Sequence, residues 1–294
     1  MFDFRYHVAS LIAVFIALVI GILVGIGLSG RGFVSDAERT NLEARISELR
    51  SARDAGQEAL ALANARQATA DTYLADTYPT LIASRLRSMK IAVVSVGSVD
   101  QAVDRAITQA VREAGGRIVR VRVLRIPIDV AAIERILAKR PALKPFAGVE
   151  QIGDLGRGVA AELIAGGPTP LLDALGDTIL EESDGNGQTP IDAIVISRPA
   201  SPQQGATQRF LSGLYAGLPQ NGVPAVGVER ATPRTSAVPA FVRSGLSTVD
   251  SIDSATGRLA LILELAGAAS GHYGVGPAAT DGILPPFPPL IAQG

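Results

Sequence analysis

The first strong pattern along the chain is an apolar run from Val8 to Leu28 that contains no charged residue. As an α-helix, its 21 residues rise about 31 Å, which matches the hydrocarbon core of a bilayer. The hydrophobic region of a secretory signal is shorter, about 7–15 residues. The run therefore predicts a retained transmembrane helix at 8–28 behind a short tail at 1–7. The alternatives are a signal sequence, cleaved after small residues near Ser29, and a buried helix of a soluble protein.

Small residues recur every four positions along this run. They are Ala9, Ala13, Ala17, Gly21, Gly25 and Ser29. Such a face lets two helix backbones approach closely in lipid, where packing drives association. We therefore predict that Ala13, Ala17, Gly21 and Gly25 contact another helix. The other interpretation is that alanine and glycine are simply common in membrane helices.

The charges that flank the apolar run nearly balance on each side, so the positive-inside rule discriminates weakly. A short N-terminal tail before a long downstream domain usually stays in the cytoplasm. We therefore expect a single-pass membrane protein with a cytoplasmic N-terminus and an extracytoplasmic main domain.

Residues 35–78 are polar, rich in alanine and free of proline, which predicts one helix of about 65 Å that Pro79 ends. The apolar seam of a coiled-coil heptad includes Leu42, Ile46, Leu49 and Leu60. The middle of the seam is weaker, because Arg53 and Gly56 occupy it. This stalk predicts a homodimer or a hetero-coiled coil. The alternative is a solitary amphipathic helix that folds against the globular part.

Residues 89–276 alternate between short apolar runs and amphipathic segments. "KIAVVSVG", a helical segment and "RIVRVRVL" form a βαβ unit, in which the last strand alternates as if one face were wet. Further helices are predicted at 130–140, 155–165, 170–181, 204–218 and 255–269, and further strands at 191–197, in "PAVGVER" and, as an edge strand, in "STVDSI". The pattern predicts a three-layer α/β domain with a mostly parallel sheet. A Pro-rich extended tail follows at 277–294.

The amino-acid composition limits the classes of partner and the kinds of chemical site that the protein can have. A net charge of -1 without a block of Lys or Arg argues against nucleic acid. Cysteine is absent, which excludes disulfides and thiolate metal sites. His7 and His272 are the only histidines, and Met89 is the only internal methionine. His272 and Met89 are therefore the weak candidates for metal ligands, and a copper cage inside one monomer is improbable.

No catalytic or cofactor motif stands out. The first βα turn, 95–100, has no dinucleotide or P-loop fingerprint, and no GxSxG follows a strand. "EESDGNG", residues 181–187, lacks the spacing of a calcium loop and is expected to be a solvated loop. His272 lies in "ASGHYGVGP", which predicts a histidine in a loop, either at the surface or hydrogen-bonded. We therefore expect no cofactor and no enzyme.

Three segments resemble the actinobacterial copper transport family called MctB. They are "MFDFRYHVASLIAVFIALVIGILVGIGLSG", "KIAVVSVG" and "HYGVGPAATDGILPP", so that the resemblance covers essentially the whole chain. The resemblance implies a role in copper homeostasis or efflux, through a pore in the outer envelope. It is the only ground for expecting copper as a ligand. One spanning helix cannot enclose a channel, although several from an oligomer could. The alternative is a non-enzymatic coiled-coil scaffold whose α/β domain binds an envelope partner in cell division or wall synthesis.

Overall fold

A computed structural model describes residues 4–29, 36–185, 187–199, 201–231, 233 and 235–288. They form two units, 1–70 and 71–294. The start of the predicted tail (1–3), the first residue of the predicted stalk (35) and the end of the Pro-rich tail (289–294) lie outside the described residues.

The first unit contains helix α1, Phe4–Ser29, and most of helix α2, Asp36–Ile82. Within the described ranges, one helix is long and apolar enough to cross a membrane, at His7–Gly27, and none of it is buried in the protein. Since α1 is apolar on every side, it has no polar face that water would solvate.

Helix α2 does not end at Pro79, as the sequence predicted, but continues to Ile82. An internal proline removes one hydrogen bond and costs about 3 kcal/mol. Tyr78 and Ile82 are buried in the second unit against the α/β domain, and Leu86 follows them into the same core. Burial of these side chains offsets the proline, which is why the helix passes through it.

The second unit is built on a seven-stranded sheet in the order β3-β2-β1-β4-β5-β6-β7. The strands are β1 Lys90–Val96, β2 Arg117–Leu124, β3 Leu180–Asp184, β4 Ala193–Ser197, β5 Ala225–Val228, β6 Ser247–Val249 and β7 His272–Tyr273. Every pair is parallel except β2–β3. This sheet confirms the predicted α/β fold.

Helices cover both faces of the sheet. They are α3 Gln101–Glu113, α4 Val130–Ala138, α5 Ile152–Ala165, α6 Pro170–Ile179, α7 Gly205–Gly217, α8 Val238–Arg243 and α9 Ala255–Leu265. Alternate residues of β1 point to opposite faces of the sheet and belong to two different hydrophobic cores. Ile91 and Val93 pack on the face covered by α3 and α9, whereas Ala92 and Val94 pack on the face covered by the other helices.

Helices α5 and α7 meet backbone to backbone. A Cβ at Gly213 would overlap the Gly153 carbonyl, and one at Gly156 would overlap the Phe210 carbonyl. A Cβ at Gly217 would lie 3.0 Å from the Arg157 Cα. Only glycine therefore fits where these helices cross.

Four local predictions differ in part from the structure. The helix expected at 170–181 forms but ends at Ile179, and residues 181–184 of the expected solvated loop are exposed but belong to the antiparallel edge strand β3. "STVDSI" supplies β6, which is not an edge because β7 pairs beyond it. His272 accordingly lies in a strand rather than a loop, although its side chain is hydrogen-bonded, as one of the two alternatives expected. In each case the structure depends on pairing with a strand that is distant in the sequence, and a local sequence pattern contains no information about such pairing.

The start of the Pro-rich segment packs on the domain. Leu284 packs against the core under α3 and α9, and Pro285 is buried. The guanidinium of Arg85 stacks 5.2 Å from the centre of the Phe287 ring and donates from Nη1 to the Pro288 carbonyl at 3.1 Å. These contacts hold the described part of the segment, up to residue 288, against the end of α2.

Candidate functional site

The two predicted metal-ligand candidates lie far apart on the sheet. Met89 precedes β1, and His272 pairs with Thr248 at the far edge, where its Nδ1 lies 3.1 Å from Thr248 Oγ1. Strands β4, β5 and β6 separate them, a distance of about 19 Å at 4.8 Å per strand. His272 and Met89 of one chain therefore cannot share one ion. Within the described ranges, no cluster of three or more His, Asp or Glu is arranged to hold a metal.

The predicted helix-contact residues are not covered by the described residues of their own unit. Ala13 and Ala17 are exposed, and a Cβ at Gly21 or Gly25 would meet nothing within 4 Å. The seam residues Leu42, Ile46, Leu49 and Leu60 are exposed by 54%, 47%, 69% and 62%. Both faces are free to meet a second helix, and the contact itself stays a prediction.

A cleft of about 260 Å³ opens at the carboxyl end of the sheet, where it is lined by the start of α3 and by the ends of β4 and β5 with the segments that follow them. The chain leaves β1 toward α3 on one face and leaves β4 toward α7 on the other. Such a reversal of direction opens a crevice that binds ligands in many α/β proteins. We call it the switch-point cleft. Its polar lining includes Asp100, Ser197, Arg198, Glu229 and Arg230.

The charged groups of the switch-point cleft are held by their neighbours. Asp100 caps α3, since its Oδ1 accepts the amides of Ala102 and Val103 at 2.9 and 3.3 Å. Its Oδ2 lies 3.8 Å from Arg230 Nε. Glu229 accepts from Ser236 Oγ at 2.8 Å and from the Ala237 amide at 2.7 Å. The cleft thus presents fixed charges of both signs, a suitable surface for a polar ligand.

Arg198 forms a wall of this cleft. Its side chain is only 8% exposed, and Nη2 donates to the Ser236 carbonyl at 3.3 Å. The residue before it, Ser197, places its Oγ 3.2 Å from Ser95 Oγ on the neighbouring strand β1. Arg198 was not among the residues predicted from the sequence. The available signal was an arginine directly after the buried strand "IVIS", since a cation at the carboxyl end of a parallel strand faces the crevice.

Two further arginines were expected on a wet face of β2 and are buried instead. Arg120 Nη2 donates to the carbonyls of Gly187 and Thr189 at 2.7 Å each. Arg122 Nη1 donates to the carbonyls of Val121 and Asp184. Burial lowers the pKa of both guanidinium groups, and for Arg120 the neighbouring charge of Arg122 adds to this. These residues pin β3 and the following loop to the sheet.

The glycine-rich motif near His272 wraps a buried carboxylate. Asp250, at the end of β6, accepts from the Val275 amide at 2.9 Å and from the Gly276 amide at 2.8 Å. A Cβ at Gly274 would overlap the Asp250 carboxylate, and its φ of 142° lies in the region that favours glycine. "HYGVGP" is therefore a structural clamp.

The comparisons with known proteins identify the family. No curated protein matches the chain. One family model, described as copper transport outer membrane protein, MctB, matches residues 1–284, which include the apolar helix, the long helix and the α/β domain. With nearly its whole length matched, the chain belongs to the MctB family of copper transport outer membrane proteins.

Proposed function

We propose that the protein is a single-span envelope protein that pairs with a second copy of itself through α1 and α2 and serves copper homeostasis from that assembly. The exposed heptad seam carries the proposal. Four large apolar side chains, Leu42, Ile46, Leu49 and Leu60, stand uncovered at coiled-coil spacing on an otherwise polar helix. Pairing with the same helix of a second copy would bury all of them.

The apolar helix supports the same arrangement. Its 21 residues at His7–Gly27 suffice to span a bilayer, with the N-terminal tail in the cytoplasm and the α/β domain outside it. Gly21 and Gly25 present a flat face on which a second helix can lie closely. Parallel pairing of α1 brings two copies of α2 side by side, so the two faces act in one dimer.

The role in copper homeostasis is proposed because the family is described as one of copper transport proteins. Transport through a pore would require several chains, since a single helix encloses no channel. In this proposal, His272 and Met89 contact copper separately, each as one ligand, because four strand spacings divide them. The α/β domain acts without catalysis, by binding a partner or a polar ligand at the switch-point cleft.

Cysteine cross-linking in membranes tests the pairing. The chain has no cysteine of its own, so a single Leu49→Cys places one thiol on the seam. In a parallel dimer, the two copies of this position face each other, and mild oxidation should give a covalent dimer. Ser51→Cys, on the opposite side of the heptad, is the matched control and should cross-link at least fivefold less. Equal cross-linking of both variants would refute the seam.

Copper tolerance tests the role. A strain that lacks the protein should grow less well in copper, and the wild-type gene should restore growth. Ile46→Asp, which places a charge on the seam, should restore it poorly, while Ser51→Asp should restore it fully. Normal copper tolerance without the protein would refute the copper role and, with an intact cross-link, would favour the envelope scaffold.

A further inference from the structure

A second groove lies beside the switch-point cleft, between α7 and α8. It encloses about 630 Å³, within the range of sites for small molecules. Its polar lining includes Arg198, Gln208, Ser212, Tyr215, Ser236 and Arg243. Among the described residues of this lining are two arginines and no carboxylate. We call it the α7–α8 groove.

Arg198 brings a buried positive charge to the groove. Its one hydrogen bond of good geometry in the described part of the chain goes from Nη2 to the Ser236 carbonyl, and Nε has no acceptor there. The Tyr215 hydroxyl lies near the same guanidinium. None of the ion pairs among the described residues involves Arg198. A guanidinium removed from water is costly to keep without a counter-charge. The nearby Glu229 is engaged by Ser236 and Ala237 on the switch-point side.

Tyr215 brings a buried donor to the same groove. It is 2% exposed, and its hydroxyl lies near the Arg198 guanidinium but makes no hydrogen bond of good geometry with the described residues. Its ring is fixed by an edge-to-face contact with Phe241, at 5.0 Å between ring centres. Burial raises the pKa of Tyr215 to about 12, which outweighs the lowering by the charge of Arg198 and by the hydrogen-bonding approach of its guanidinium. The hydroxyl therefore keeps its proton and has one to donate.

Arg243 supplies the second cation, from the last turn of α8. Its side chain is exposed, so it can fold over a ligand that lies against Arg198. Two guanidinium groups and neutral donors such as Tyr215 are the groups that bind carboxylates and phosphates, because several charge-assisted hydrogen bonds converge on one anion.

We propose that the α7–α8 groove binds the anionic group, a carboxylate or a phosphate, of a small molecule. Arg198 and Tyr215 donate to the anion from the buried end, and Arg243 closes over it from the exposed end. The bound anion neutralises Arg198 and satisfies the Tyr215 hydroxyl. This ligand site is distinct from the helix faces that pair two copies and from any contact with copper.

Calorimetric titration of the full-length protein in a neutral detergent tests the proposal. The probes are inorganic phosphate and citrate, each at constant ionic strength against chloride. We expect saturable binding of at least one probe, with one site per chain. Tighter phosphate binding assigns a phosphate group to the ligand, and tighter citrate binding assigns a carboxylate.

Charge-removing variants locate the site. Arg243→Gln should weaken binding at least tenfold, and Arg198→Gln by as much or more. Arg209→Gln is the matched control, since Arg209 is an exposed arginine of α7 outside the groove, and it should change the Kd less than twofold. Arg243 is exposed, so its variant folds even if the Arg198 variant does not. No saturable binding to the wild type, or equal affinity of the Arg243 and Arg209 variants, would overturn the proposal.

Discussion

Glu264 is a carboxyl group that the fold keeps from water. It lies on α9, is 3% exposed, and neither of its oxygens has a hydrogen-bond partner of good geometry among the described residues. Burial is the main reason that its pKa rises from the ordinary 4.5 to about 8. The Ser247 hydroxyl and the Gly271 amide lower it, and the charge of Asp281 raises it further. At neutral pH the folded protein therefore holds Glu264 protonated.

The sign of the effect on stability follows from proton binding. Between pH 4.5 and about 8, the unfolded chain has lost this proton and the folded chain has kept it. The free energy of unfolding therefore falls by about 1.4 kcal/mol for each unit of rising pH in this window. Over the whole window the loss is at most about 5 kcal/mol. Since local hydration relieves part of this cost, we expect about 2–4 kcal/mol.

Glu264→Gln isolates this contribution, because the amide is neutral at every pH. We expect the variant and the wild type to be about equally stable at pH 5. At pH 8 the variant should be the more stable by about 2–4 kcal/mol. Urea denaturation in a neutral detergent, followed by the near-ultraviolet circular dichroism of the five tyrosines, measures both proteins.

Glu113→Gln serves as the control, since Glu113 is an exposed glutamate of the neighbouring helix α3. Its stability relative to the wild type should not change between pH 5 and 8. The reasoning about Glu264 fails if its glutamine variant gains no stability at pH 8, or if the gain is already complete at pH 5.

Two further substitutions test how the domain is held together. Gly213→Ala should lower the free energy of unfolding by about 2–3 kcal/mol, because its Cβ overlaps the backbone of α5. Gly176→Ala, which meets open space on α6, should be neutral or slightly stabilising in the same urea titration. Asp250→Asn should cost about 2 kcal/mol and speed hydrogen exchange at the Val275 and Gly276 amides. Unchanged exchange at these amides would show that the clamp is not needed.

Local sequence patterns were sufficient to predict those elements whose apolar periodicity reflects which of their faces are buried. The apolar helix and the βαβ unit from Lys90 to Leu124 form where they were predicted. Burial on one face gives alternating apolar positions and burial on both faces gives continuous ones, so the sequence pattern reveals both kinds of element. β3 has no such pattern. Its "LEESD" forms a strand only because β2 offers an edge to pair with, and that edge lies far away in the sequence.

The candidate site was harder to predict than the fold, because its key groups are defined by what surrounds them. By residue type, Arg120 and Arg198 would be expected to face solvent. In the folded chain both are buried, because loops and helices from distant parts of the sequence cover them. Tyr215 gains its role from a helix that packs behind it and an arginine that precedes it on another element. No spacing rule links such residues, so composition and motif searches pass over them.

The glycine contact between α5 and α7 also sets the position of one wall of the α7–α8 groove. Gly213 and Gly217 face α5, and Tyr215 and Gln208 lie on the opposite side of the same helix. A contact between two backbones contains no side chain that can change rotamer, so α7 cannot move toward α5 to widen the groove. On the other wall, Phe241 of α8 is buried and holds the Tyr215 ring. A side chain added at Gly213 or Gly217 would push α7 away from α5, and it would thereby change the width of a groove that neither glycine lines.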